Sequence, residues 1–165
     1  MIGEADIQQA VKKIGEQISR DLADENPLFI GVLNGAFMFM GDLMKYVTIP
    51  CEITFVKLSS YDGIMSRGKV KEVMGMAEDV EGRTVVVVED IVDTGITMQQ
   101  IINNLTLRNP KQIKTVSFLQ KPEALKCDIK VDYVAMTIPN RFIVGYGLDY
   151  DGYGRNLQGV YVLNG

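Results

Sequence analysis

Two adjacent acids, and a third three positions later, punctuate the run Val-Val-Val-Val-Glu-Asp-Ile-Val-Asp-Thr-Gly-Ile-Thr at residues 85–97. The valines supply a buried strand, and Glu89 and Asp90 arrive at its carboxyl end. Two neighbouring carboxylates there are costly unless a cation or hydrogen-bond donors meet them. Asp93, Thr94, Gly95, Ile96 and Thr97 then form a short loop running into a helix. Gly95 lets the backbone turn sharply or lie close against a ligand. The threonine hydroxyls and the outward amides of a helix start suit a phosphate monoester. Taken singly, each feature has a plain explanation: Asp93 or Thr94 as an N-cap, the acids as solvated strand-end charges. One loop holding a two-carboxylate clamp, an isolated carboxylate and a phosphate nest is what points to chemistry.

Composition narrows that chemistry. The 165 residues contain no His, which excludes a Ser-His-Asp triad, a Cys-His dyad and a His-ligated zinc. Acid–base work falls to Asp, Glu, Lys or Tyr, and a metal must accept mainly oxygen ligands, favouring magnesium, manganese or calcium. The net charge of -4 gives no broad footprint for nucleic acid. Cys51 and Cys127 form no CxxC and are expected to be buried thiols in a reducing compartment. The N-terminus lacks an apolar signal core, and no apolar run reaches the ~18 residues of a membrane span. The expectation is a soluble, cytoplasmic protein with a sizeable core in a single domain over residues 1–165.

The elements that must position the motif follow from periodicity. Ile7, Val11, Ile14 and Ile18 recur at helical spacing, predicting a helix over 4–23 that ends at Asn26-Pro27. A short apolar run predicts a buried strand at 28–33, then a Met-rich helix at 35–46. Alternation predicts a strand at 51–58, and polar residues with two glycines a loop or weak hairpin at 59–71. The valines predict a strand at 83–89 covered on both faces, as in a parallel sheet. A helix from Thr97 to Leu107, strands at 113–119 and 131–137, and a strand-and-loop tail from Phe142 complete the chain. Alternating strands and helices describe an α/β fold, an open and mainly parallel sheet flanked by helices. Ligands in such sheets bind beyond the carboxyl ends of the strands.

Residues 85–97 closely resemble the signature for 5-phosphoribosyl 1-pyrophosphate in type I phosphoribosyltransferases. Further segments resemble the hypoxanthine-guanine members of that family: the tail FIVGYGLDYDGYGRNL, the purine-oxygen loop LQKPEA, the mobile lid KLSSYDG and the pyrophosphate loop VLNGAFMFMGDL. These pieces span most of the chain from about residue 30 onward. The resemblance implies the type I fold with a small hood over the active site. It implies a purine-salvage enzyme that makes IMP, and GMP as well, with release of pyrophosphate.

Roles carried over from the family form one site. Glu89 and Asp90 hold the ribose hydroxyls of the donor, and residues 93–97 hold its 5-phosphate. Asp93 takes the proton of the purine N7. Lys121 meets the 6-oxo group, which accepts from a cation as an amino group would not. Phe142 stacks on the purine, and Ile143 contacts its edge through backbone. Asp149 is a second-site magnesium ligand near the base, beside Glu89 and Asp90 as metal-associated acids. Arg155, with Asn34 and Gly35, contacts the pyrophosphate, a good partner for a guanidinium fork. Ser60 and Tyr61 match the lid pair, which would exclude water from the cationic sugar. The family also implies Mg2+ and a homodimer or homotetramer, with neither nucleic acid nor membrane as partner.

The chain departs from many relatives where Leu33-Asn34-Gly35-Ala36 replaces Leu-Lys-Gly-Gly, so no side-chain charge carries over to Asn34. Whether the family's cis peptide occurs in this loop is not legible in sequence. Residues 63–69 imitate the start of a P-loop, but Val70 follows where Ser or Thr belongs. Lys121 and the tail argue against adenine and pyrimidine bases, and do not separate hypoxanthine, guanine and xanthine. A donor-binding gene regulator on the same fold would need a basic face or an added module.

Overall fold

The computed structural model describes residues 1–60, 70–74 and 76–164. The elements in chain order are α1 (Glu4–Asp21), β1 (Leu28–Leu33), α2 (Phe37–Met44), β2 (Glu52–Ser60), β3 (Val70–Met74), β4 (Thr84–Val92), α3 (Ile96–Thr106), β5 (Gln112–Gln120), β6 (Tyr133–Thr137), β7 (Ile143–Val144) and β8 (Tyr161–Val162). The main sheet has the order β3-β2-β1-β4-β5-β6, parallel throughout except for the antiparallel β2–β3 edge. Strands β7 and β8 pair separately in the tail.

The four valines explain why β4 lies centrally. Val86 and Val88 face a core built with α1, α2, Phe29 and Phe118. Val85 and Val87 face a second core with Ile30, Val56 and the α3 residues Met98, Ile101 and Leu105. Side chains alternate across a strand, so a strand covered on both faces must be apolar at every position. The turn at 34–36 and the loop at 93–95 leave the carboxyl ends of β1 and β4. The chain runs from β1 to β2 on one side, then returns to β4 on the other. The crevice between β1 and β4 is therefore the topological switch point where such sheets take ligands.

The differences from the sequence expectations have local causes. Helix α2 starts at Phe37 rather than residue 35, because residues 34–36 are spent on a turn against β4. Strand β4 runs on to Val92 rather than ending at residue 89, so Glu89 and Asp90 both lie within it. Strand β6 starts at Tyr133, not 131: the Asp132 carboxylate accepts from Thr115 N at 2.9 Å and substitutes for ladder pairing there. The loop-or-hairpin segment is in part the β2–β3 hairpin. The P-loop imitation at 63–69 lies outside the described residues. Both cysteines are free, and each is partly exposed rather than buried. Helix α2 turns Phe39, Met40 and Leu43 inward onto the sheet.

Phe118 is fully buried, with its ring 5.4 Å from Phe39 and 4.7 Å from Tyr146. Phe118→Ala is expected to destabilise the fold by about 3–5 kcal/mol, the usual cost of such a cavity, measured by urea unfolding.

Candidate active site

Strand β4 delivers the central acids. Glu89 is 6% exposed, and Asp90 is half-buried beside it. Burial is the largest influence on Glu89 and holds its carboxyl well above the usual range; the Asp90 charge pushes the same way. Burial also raises Asp90, to about 6, against opposing hydrogen bonds from the backbone and the positive field of Arg155. The pair is thus short of positive charge, the environment in which a hard divalent cation or a hydroxyl-rich ligand relieves a desolvated carboxylate. Among the described residues no group of three or more His, Cys, Asp or Glu gathers to hold a metal. The donor set fits a cation that takes its remaining ligands from water and substrate, as magnesium does.

A cleft beside the pair is lined by Ile91, Asp93, Gly95, Thr97 and Met98. Asp93 is exposed, and one of its carboxylate oxygens accepts from Thr94 N at 2.6 Å. Gly95 has φ +85 and is the N-cap of α3, with no side-chain cap. Only a 3.4 Å contact from Ile96 N to Thr94 Oγ1 serves the helix start locally. Helix starts leave amides without internal partners, so this loop keeps donors for an external anion. A Cβ at Gly95 would press on Ile129 and Leu125, which hold the loop from behind. The carbonyl of Thr94 is fixed by Lys126 N at 2.8 Å.

Two other loops reach the same edge. Leu33–Asn34 is a cis peptide, and the following Gly35 lies so close to Asp90 that a Cβ would overlap its carboxylate. Asn34 is exposed. Lys121 follows β5, its backbone N donating to Val92 O at 2.9 Å. It is only 9% exposed, and no carboxylate among the described residues pairs with its ammonium. The stem is buried while the charge remains available.

The hood comes from the tail. Ile143 is buried in β7, while Phe142 beside it is 58% exposed, with Tyr150 edge-on at 6.0 Å. An exposed Phe is not core packing, so the ring keeps a face for a ligand. Arg155 is turned in by Gly147: its Nη1 donates to Gly147 O at 2.7 Å. Its Nη2 lies 3.4 Å from Asp149, whose other oxygen accepts from Gly152 N at 2.8 Å. Asp149 therefore faces Arg155 and the turn, and does not join Glu89 and Asp90 in one ligand cluster. Ser60 ends β2 opposite Val70, and Tyr61 lies outside the described residues. Sequence reasoning missed Gly147 and Tyr150; the tail's run of Gly and Tyr was the available signal, but it carries no distances.

Residues 4–151 match the family model described as the phosphoribosyl transferase domain. A hypoxanthine-guanine phosphoribosyltransferase of Bacillus subtilis (strain 168) is 42% identical over 164 residues, covering 99% of this chain and 91% of the relative. A hypoxanthine phosphoribosyltransferase from Staphylococcus aureus superposes with TM-score 0.95 at 36% identity, covering 99% of this chain and 90% of that one. The Trypanosoma cruzi hypoxanthine phosphoribosyltransferase in complex with the product IMP superposes with TM-score 0.94 at 34% identity, over 99% of this chain and 92% of that one.

The acid pair makes stability depend on pH in a definite direction. A carboxyl raised in the fold stabilises fully below its unfolded pKa of about 4, and that contribution is lost as pH rises through its folded value. Without ligands, Glu89→Gln is expected to melt roughly 3–6 °C above the parent at pH 8, with the gap closing toward pH 5. Differential scanning fluorimetry across that range checks it.

Proposed function

The chain belongs to the hypoxanthine-guanine phosphoribosyltransferases of the phosphoribosyl transferase domain family, and we propose the residue roles by which it performs that reaction. It is a purine-salvage transferase that joins hypoxanthine or guanine to the ribose 5-phosphate of 5-phosphoribosyl 1-pyrophosphate, giving IMP or GMP and pyrophosphate. The observation that carries the residue assignment is the convergence of three loops on the β1–β4 switch point, with Gly35 against Asp90 and an uncapped helix start beside them.

The amides of residues 94–97 and the two threonine hydroxyls hold the 5-phosphate. Glu89 and Asp90 receive the ribose hydroxyls. The Gly35 amide and Arg155 hold the diphosphate, with Asn34 at its rim. Phe142 stacks on the purine, the Ile143 backbone meets its edge, and the Lys121 ammonium donates to its 6-oxo oxygen. Purine N9 bonds to C1′ as the bond from C1′ to the diphosphate oxygen breaks, and the proton on N7 passes to Asp93. Lys121 and Asp93 act on the base while Arg155 and the loop amides neutralise the departing charge. Mg2+ bound at Glu89 and Asp90 would supply further neutralisation of the diphosphate. Asp149, 3.4 Å from Arg155, would serve a second such ion near the base. Ser60 and Tyr61 belong to the lid that keeps water from the sugar.

No helix among the described residues is long and apolar enough to cross a membrane. A cytoplasmic location fits two free cysteines. A homodimer or homotetramer is supported by the exposed apolar side chains of Phe37, Ile53 and Phe55.

The test is turnover with magnesium and 5-phosphoribosyl 1-pyrophosphate against hypoxanthine, guanine, xanthine and adenine separately, with Asp93→Asn alongside. The expected result is product from hypoxanthine and guanine, and kcat reduced about 10²–10⁴-fold in the variant. Product from xanthine alone would keep the mechanism and move the substrate. No turnover with any base, while the donor still binds, would overturn the enzyme and favour a donor-sensing regulator.

A further inference from the structure

Tyr146 has no part in the chemistry just described, yet it is the most firmly held residue of the hood. It is 2% exposed and adopts φ 48, a backbone conformation disfavoured for a bulky residue. Its hydroxyl donates to Asp42 Oδ2 at 2.5 Å, across 104 positions of sequence. The same oxygen accepts from Gln8 Nε2 at 2.8 Å, and Lys45 Nζ lies 3.4 Å from the other. The Tyr46 hydroxyl donates to Gln8 at 3.3 Å. Burial acts to raise the Asp42 carboxyl, but these donors outweigh it, and the group sits below its usual value. Burial and the facing Asp42 charge both push the Tyr146 phenol up, so it stays a donor.

What this bond connects is more telling than its strength. Asp42 sits on α2, which begins directly after the turn at 34–36. Gly147 follows Tyr146, and a Cβ there would overlap the carbonyl of Gly35. The Gly147 carbonyl accepts from Arg155, and its N–H donates to Arg155 O at 2.8 Å. Gly35 in turn abuts Asp90. The two walls assigned to the diphosphate thus belong to separate parts of the chain, which the Asp42–Tyr146 bond joins.

We propose that Asp42 and Tyr146 are positioning residues: their hydrogen bond ties α2 to the hood and so sets the gap between Gly35 and Arg155 in which the diphosphate is held. Both act through those two residues. The inference rests on the phosphoribosyltransferase reading above, but it assigns to the pair a selective effect on the diphosphate rather than on the base.

Tyr146→Phe keeps the ring stack and removes the hydroxyl. Asp42→Asn keeps an acceptor oxygen for it. Tyr133→Phe is a matched control, removing a similar phenol-to-carboxylate bond, to Asp21 at 2.7 Å, on β6 outside the site. KM is measured for 5-phosphoribosyl 1-pyrophosphate, for hypoxanthine, and for pyrophosphate in the reverse direction with IMP, together with the melting temperature. Tyr146→Phe is expected to raise KM for the donor and for pyrophosphate about tenfold, with KM for hypoxanthine within about twofold. Asp42→Asn stays within about twofold of the parent, and Tyr133→Phe lowers the melting temperature without moving KM. Kinetic constants for Tyr146→Phe that match the parent, or a rise shared equally with hypoxanthine, would overturn the proposal. A parent inactive on every base would instead strike the functional reading; calorimetric pyrophosphate affinity in the same variants then decides the positioning role by the same comparison.

Discussion

Glu89 and Asp90 are neighbouring carboxylates withdrawn from water at the end of a strand that is buried on both faces. That desolvation is the constraint the surrounding structure answers. The valines before the pair are fully buried, Glu89 is 6% exposed, and Asp90 is half-buried. The Arg155 field acts to keep Asp90 ionised from the hood side, and Gly35 packs against the Asp90 carboxylate with no side chain between. Neither contact relieves Glu89, whose carboxyl stays well above its ordinary range. The proposed site therefore carries a deficit of the kind that a ligand bearing hydroxyls and a divalent cation would make good.

The same constraint explains why the parts are arranged as they are. Parallel strands put every carboxyl end at one edge, and the order β2-β1-β4 opens a crevice there. Loops after β1, β4 and β5 supply respectively a backbone without a side chain, an uncapped helix start, and a largely buried lysine with no carboxylate partner among the described residues. The hood adds an exposed aromatic ring and a guanidinium. Acidic residues dominate the overall charge, yet the groups proposed to meet anions are amides, Lys121 and Arg155. Such a local concentration would let an acidic chain meet a polyanionic substrate.

Much of this was legible in the residues. Four consecutive valines marked β4 as a two-faced strand, and Asp-Thr-Gly-x-Thr marked a turn into a helix start, because both are determined by neighbours in sequence. The strand and helix identities followed from period for the same reason, while their ends shifted where side chains substitute for backbone pairing, as Asp132 does for Thr115. What could not be read were contacts between distant segments. Gly35 against Asp90, Gly147 against Gly35, and Tyr146 against Asp42 depend on how loops meet over the sheet edge, and no periodicity encodes that. Asp149 shows the limit most clearly. Its place as a metal ligand came from the resemblance alone, and its contacts with Gly152 N and Arg155 belong to tail geometry that residue types do not carry. The cysteines, expected inside, are only partly buried: Cys51 packs at the margin of the first core, and Cys127 lies in the loop before β6.

The central claim is that the acid pair and the amide loop together form the donor site. Calorimetric titration of the protein with 5-phosphoribosyl 1-pyrophosphate tests it most directly. It should be run near pH 6.5 in two buffers of different ionisation enthalpy, with magnesium and with chelator. The account predicts one saturable site that needs the divalent cation and releases protons on binding, as the raised carboxyls of Glu89 and Asp90 ionise. Binding that is indifferent to magnesium and releases no proton would contradict it.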